Sequence, residues 1–305
     1  IDNISYTEFA GYLELPTADY VLEVRTADGI TTVASYQAPL AALGLEGAAL
    51  VVIASGFLDP SQNSDGAGFG LYAALPAGGD LAVLPLANQT ARVQVIHNSA
   101  DAAVEFVDVY LNEDLLIPDF GFRTASPFID APAGVEIILS VAPAGSTSVG
   151  DAIYSAEVTL TADETYVVVA DGIVSASGYN PAPAFGLQIY PGGREIATDP
   201  ANTDVLVHHG STDAPTVQVV ETGAGAGVLI DNISYTEFAG YLELPTANYV
   251  VQINAGGAGV AAYQAPLAAL GLDGAALAVI ASGFLDPSQN SDGASFGLWV
   301  SLPSG

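Results

Sequence analysis

Residues 1–18, IDNISYTEFAGYLELPTA, recur letter for letter at 230–247. The match then loses two residues and resumes, with YQAPLAALGL at Tyr36 and Tyr263 and ASGFLDPSQNSDGA at Ala54 and Ala281. Self-similarity at a fixed distance restricts a chain to stacked or serial copies of one unit, because each copy must bury the same apolar residues in an equivalent way. The period is 229 residues at its start and 227 after the deletion, roughly two ordinary domains. A weaker repeat divides it. VIHNSADAA around His97 aligns with VHHGSTDAP around His209, SPFIDAPAGVEIILSV at 126–141 with AGYLELPTANYVVQIN at 239–254, and FGLQIYP from Phe185 with FGLWVSLP from Phe296. Two module types of roughly a hundred residues therefore alternate: a partial A module at 1–86, a complete B module at 87–200 and a complete A module at 201–305. The first A module lacks the counterpart of 204–229, the first strands of the repeat, and a sandwich without them has open edges. The chain opens on Ile1 with no signal peptide ahead of it, as in a processed chain or a window of a longer one. The expectation is an excerpt from a longer tandem array, with a strand donated by another subunit as the alternative.

The local pattern sets the fold class. In the B module RVQVIH (from Arg92), FVDVYL (Phe106), EIILSV (Glu136), AIYSAEVTL (Ala152), TYVVVAD (Thr165) and FGLQIY (Phe185) are short runs rich in Val, Ile, Tyr and Thr, bounded by Pro, Gly, Asn and Asp. Such runs read as strands. The one helical candidate is APLAALGL at Ala38, a single turn ending at Gly44. Many short strands per hundred residues with no cysteine predict an all-β chain of tandem immunoglobulin-like β-sandwich modules. The run GAALVVIASGFL from Gly47 is apolar on both faces, which predicts a central strand covered on two sides.

Composition narrows the function. The 305 residues carry 4 Lys+Arg against 34 Asp+Glu, a formal net charge of −30. The cations are Arg25, Arg92, Arg123 and Arg194. A chain so poor in cations cannot displace counterions from phosphates or dock on anionic lipid, which argues against nucleic-acid partners and membrane insertion. Zero cysteine removes disulfides, thiolate metal sites and cysteine nucleophiles. The longest apolar run, 48–58, includes Ser55 and Gly56 and is too short to span a bilayer. Charged residues make up 12% of the chain while 50% are hydrophobic, well below the charge density of a free soluble domain. The surface is thus expected to be made of Ser, Thr, Ala, Gly and Asn or to be largely covered by neighbours, and either reading favours an assembled or repeat protein.

The signature that begins each complete module is VIHNSADAA followed by DAPAGVEI, and VHHGSTDAP followed by ELPTANYV. It resembles the domain-of-unknown-function family 4397, and the resemblance runs along the whole chain. The sequence departs from the family pattern at Ala103, where the family tends to have proline, and at Gln218, where it tends to have the aspartate that the B module keeps as Asp108. The resemblance implies a secreted or cell-surface bacterial or archaeal sandwich module, commonly in tandem and often in Bacteroidota proteins exported with a C-terminal sorting domain. It implies no catalytic role.

The candidate chemistry is sparse. His208 and His209 are successive on a strand and face opposite sides, so they cannot share a metal. His209, Ser211 and Asp213 share a face, but residues two apart lie about 7 Å apart along a strand, too far for a Ser–His hydrogen bond. The reading is structural: Ser and Asp bond local amides at the turn after the first strand, with the histidine packed beside it. The loop LDPSQNSDGA supplies candidate calcium ligands Asp59, Asn63 and Asp65 in the first copy and Asp286, Asn290 and Asp292 in the second. Ser61 and Ser288 stand where the first carboxylate of a calcium loop belongs, and no closing glutamate follows. A plain Asx and glycine turn is the competing reading. Asp28, Asp101, Asp130, Asp151 and Asp163 lie in turns and read as solvated. Tyr12, Tyr20, Tyr241, Tyr249 and Trp299 are candidates for a sugar platform, with strand-interior or interface packing as the competing reading.

No catalytic constellation stands out, so the chain is not expected to be an enzyme. The expectation is a secreted structural repeat protein, extracellular or at the cell surface, that self-associates into a fibre or filament. The alternative is an adhesin-like array binding glycan or a neighbouring surface, with repetition supplying avidity.

Overall fold

A computed structural model describes residues 1, 3–41, 43–87 and 90–305. The described residues are almost entirely strands and turns, as the alternation predicts. They fall into two compact units, Ile1–Gln89 and Thr90–Gly305.

The first unit contains β1 (Asp19–Arg25), β2 (Thr32–Pro39), β3 (Val51–Ser55), β4 (Gly70–Ala74) and β5 (Ala82–Val83). β1 and β2 form an antiparallel hairpin, and β3, β4 and β5 a three-stranded sheet in that order. Tyr36, Leu71, Ala73 and Leu84 make a small core, with Leu22, Val24 and Phe69 against it. The described residues of 1–18 contain a turn at Tyr6 and Thr7 but no strand.

The second unit holds both complete modules. The B module contributes β6 (Thr90–His97), β7 (Phe106–Leu111), β8 (Asp114–Gly121), β9 (Thr124–Ala125), β10 (Ile129–Pro132), β11 (Glu136–Pro143), β12 (Tyr154–Thr159), β13 (Thr165–Asp171) and β14 (Gly186–Pro191). One sheet has the order β10-β6-β13-β14 with β9 also on β6, and the other β12-β11-β7-β8. Val93, Val95, Val107, Val109, Ile137 and Val168 fill the space between them. β8 and the short β9 and β10 escape the sequence reading. β8 is an edge strand interrupted by Pro118 and bulged against β7, and Pro at an edge hides the strand pattern.

The A module repeats this plan with β15 (Asn202–His209), β16 (Val217–Glu221), β17 (Gly227–Ile233), β18 (Phe238–Pro245), β19 (Asn248–Ala255), β20 (Ala258–Pro266), β21 (Ala276–Ser282) and β22 (Gly297–Ser301). Its sheets are β18-β15-β21-β22 and β17-β16-β19-β20. In both modules the first strand runs parallel to a much later one, β6 to β13 and β15 to β21, while the other pairs are antiparallel. The doubly apolar run from Gly47, expected to be central and covered, instead forms β3, an exposed edge strand that pairs with β4 alone because the first unit has no counterpart of β15 beside it; its second copy, β21, is central and largely buried. The single turn expected after Ala38 is present: the Leu43 amide donates to the Pro39 carbonyl and Gly44 closes the turn at φ +64°, a conformation glycine adopts without strain, and the second copy repeats it with Leu270, Pro266 and Gly271.

Candidate functional site

The residues that link one module to the next form the most elaborated site in the molecule. Alternation sends one face of β6 and β13 into the B core, so the opposite face must be covered by something else. The A module covers it. Ile96, Phe128, Val167 and Val169 of the B module pack with Leu206, Ala278 and Ile280 of the A module, flanked by Tyr190, Phe238 and Tyr241. Each buried side chain of this size contributes about 1.5–3 kcal/mol. Two sandwiches thus share a third apolar layer, and the boundary near residue 200 falls inside one compact unit.

Equivalent sheets meet at this junction. Val167 and Val169 correspond in the repeat to Ala278 and Ile280, and Phe128 to Tyr241. Asn98 corresponds to Gly210, and these two touch directly: the Asn98 amide donates to the Gly210 carbonyl at 3.0 Å. Contact between corresponding residues is the mark of an isologous, quasi-two-fold pairing.

A polar cluster sits within the apolar layer. His208 Nε2 lies 2.6 Å from Asp171 Oδ2, with both side chains fully buried. Asn98 Nδ2 donates to the other carboxylate oxygen at 2.5 Å. The Phe238 ring lies over His208 with centroids 4.2 Å apart. Tyr235 is half-buried nearby, and desolvation together with the Asp171 charge pushes its phenol upward. Gly210 is required here, because a Cβ on it would strike the Asn98 amide and the Asp171 carboxylate.

Three of the four cations serve the junction. Arg123 donates to Ser282 Oγ at 3.0 Å, the Ser282 carbonyl at 3.1 Å and the Ser295 carbonyl at 2.7 Å. Its guanidinium also lies 4.5 Å from the centroid of the Trp299 ring. Arg92 holds Glu195 through two nitrogens, at 2.7 and 3.0 Å. Arg194 bridges Asp204 and Glu243 at 2.6 and 2.8 Å and lies over Tyr241. Thr198 donates to Asp204, and the Ala197 amide to the Gly274 carbonyl. The connecting segment is pinned along its length rather than free to swing.

The H-x-S-x-D signature is a corner latch in both modules. Ser99 donates to the Gly172 carbonyl and Ser211 to the Gly283 carbonyl, each at 2.6 Å. Asp101 accepts from the Val174 and Ser175 amides, and Asp213 from those of Leu285 and Asp286. The partners are therefore mostly distant in sequence, where the sequence reading places them locally; the Ala103 amide on Asp101 and the Ser211 hydroxyl on Asp213 are local. His97 and His209 face the Val104 and Pro215 carbonyls. His209 is thus turned away from Ser211, and it and His208 point to opposite sides. Burial lowers the pKa of both His97 and His209. Asp101, read from sequence as solvated, is buried in this latch.

The candidate calcium loops use their polar atoms internally. Asp286 accepts from Ser288 N and Oγ, as Asp59 does from Ser61. Asn290 Nδ2 donates to the Asp286 carbonyl and to Asp213, and its Oδ1 accepts from the Asn180 amide of the B module at 3.0 Å. Asn63 makes the corresponding bond to the Asp59 carbonyl. Asp65 and Asp292 occupy left-handed positions at φ +49° and +52°. Among the described residues no three His, Asp or Glu side chains converge on a metal position.

Of the aromatic candidates, Trp299 and Tyr241 lie against junction arginines and Tyr249 is buried, whereas Tyr12 is exposed. Asp108 accepts from the Asp119 and Ser146 amides inside the B module, and Gln218 in the A module donates to Asp231 instead. Asp171, Asn98 and Arg123 escape the sequence reading, because each has a partner in the other module. The scarcity of cations was the available signal for Arg123.

Residues 84–183 match a family described as "Domain of unknown function (DUF4397)". No curated protein matches the chain in sequence. No helix among the described residues is long and apolar enough to cross a membrane.

Proposed function

We propose, from a chain whose residues 84–183 belong to the DUF4397 family, that this is a secreted structural repeat protein building an extended fibre or filament at the cell surface. The observation that carries this reading is the junction: an apolar layer, a buried His208–Asp171 pair and a pinned connecting segment join B to A. Modules that only present binding loops need a tether and not a shared core. A stiff pair repeated along a chain is instead the element from which a linear assembly is made. The charge of −30 keeps free chains apart at low salt, and screening at high ionic strength lets them approach.

Electron microscopy of the native material, with and without a calcium chelator, tests this. Regular filaments with an axial repeat matching one B–A pair are expected, unchanged by the chelator. Loss of order on chelation would assign Asp59, Asn63 and Asp65 and Asp286, Asn290 and Asp292 to calcium. Isolated flexible particles in both buffers would favour the adhesin-like array, and glycan screening would follow.

A further inference from the structure

The same sequence is buried in one unit and bare in the other. In the A module at 201–305, Ala278, Ile280 and Phe284 are 2%, 2% and 1% exposed. Their counterparts in the first unit, Val51, Ile53 and Phe57, are 40%, 36% and 45% exposed. β21 lies between β15 and β22, whereas β3 pairs with β4 alone and leaves its other edge open. An open apolar edge strand is a template for another strand.

The bare face is already shaped for its occupant. Gly56 and Gly283 have φ +93° and +83°, and Ser64 and Ser291 both have φ +55°. The loop around Asn63 has the same capping bonds as the loop around Asn290. The A-module groups of 282–302 that hold the B module have counterparts here, while those of 204–229 do not. Ser55 stands for Ser282, Gly68 for Ser295, Asn63 for Asn290, Ser64 for Ser291, Leu75 for Leu302 and Tyr72 for Trp299. In the covered copy these groups meet Arg123, Asn180, Gly178 and Gln94. The carbonyl acceptors survive any substitution, and Tyr72 retains an aromatic ring for the guanidinium.

We propose that the β3–β4 face of the first unit binds a second B-type module, together with the strands that follow it, in the arrangement that 90–229 takes on the A module. The occupant adds a parallel strand to the edge of β3, as β15 does to β21. Its arginine at the Arg123 position seats on the Ser55 and Gly68 carbonyls and the Tyr72 ring. This stands apart from the filament reading, since the face can be covered whether or not filaments form.

The test extends the full chain at its N-terminus with a copy of 90–229, so that Leu229 of the copy joins Ile1. Hydrogen exchange is read at 51–55, with 276–282 as the internal reference. Deuterium uptake at 51–55 is expected to be fast in the unextended chain and to fall to the level of 276–282 in the extended one. Arg123→Ala in the added copy should raise uptake at 51–55 and leave 276–282 unchanged. A shorter extension, a copy of 202–229, should slow exchange at 51–55 while binding of an apolar dye persists; the full extension should abolish both. Unchanged uptake at 51–55 in both extended chains overturns the proposal. Equal loss of dye with the short extension also overturns it, since the module would then be unnecessary. Slow exchange in the unextended chain overturns it too, with a dimeric mass identifying a second copy of the chain as the occupant.

Discussion

Burial has left individual side chains in protonation states that the fold depends on. His97 and His209 are held neutral chiefly because burial penalises their charged forms. The folded pKa lies below the ordinary 6.5, so the unfolded chain binds protons first. Their contribution is present above pH 6.5 and is lost as the pH falls below it. Glu221 has the same sign in a lower window. Burial opposes its charge, but the amides of Ala224, Ala226, Val250 and Gly223 donate hydrogen bonds to the carboxylate and hold the pKa at about 2. Its stabilisation is therefore lost only between its ordinary 4.5 and about 2. Thermal melts should show a first decline of the melting temperature below pH 6.5 and a second below pH 4.5. A melting temperature flat from pH 8 to 5 would show that neither histidine is buried neutral.

At the scale of elements, the two copies of IDNISYTEFAGYLELPTA separate local from tertiary instruction. In both copies the serine amide donates to the glutamate three residues on, Ser5 to Glu8 at 2.8 Å and Ser234 to Glu237 at 2.7 Å. In both copies the threonine has positive φ, +71° at Thr7 and +73° at Thr236. The turn is therefore locally encoded. The strands are not: 238–245 forms β18 against β15, while 9–16, with the same letters, forms none. Amides of 238–245 should exchange slowly and those of 9–16 fast within one sample. Peptides that run on into Asn248 and Asp19 distinguish the copies. Equal rates would contradict the partner requirement. This explains how much was legible. The six strands read in the B module are present because their own alternation marks them, and the H-x-S-x-D corner is marked by its spacing. β8 was hidden by Pro118, and the junction by its dependence on residues far apart in the chain, as in Arg123 and Ser282.

For the whole molecule, the shared apolar layer couples the modules. Thr90–Gly305 should unfold in calorimetry as one transition, although it contains two sandwiches. Asp171→Ala leaves His208 and Asn98 buried without their partner. It should cost about 3–5 kcal/mol and divide that transition in two, whereas Glu157→Ala on the exposed face of β12 should change stability by less than about 0.5 kcal/mol. Two transitions in the unaltered chain would mean that the layer does not couple the modules. The quasi-two-fold pairing also sets an arithmetic of growth. Each module spends its one sticky sheet on a partner of the other kind, so parity matters. A duplication that adds a B–A pair to a fully paired array leaves every such sheet covered, while one that adds a single module to it leaves one in water. Paired arrays that change in steps of two modules are then the ones that grow without exposing an aggregating surface.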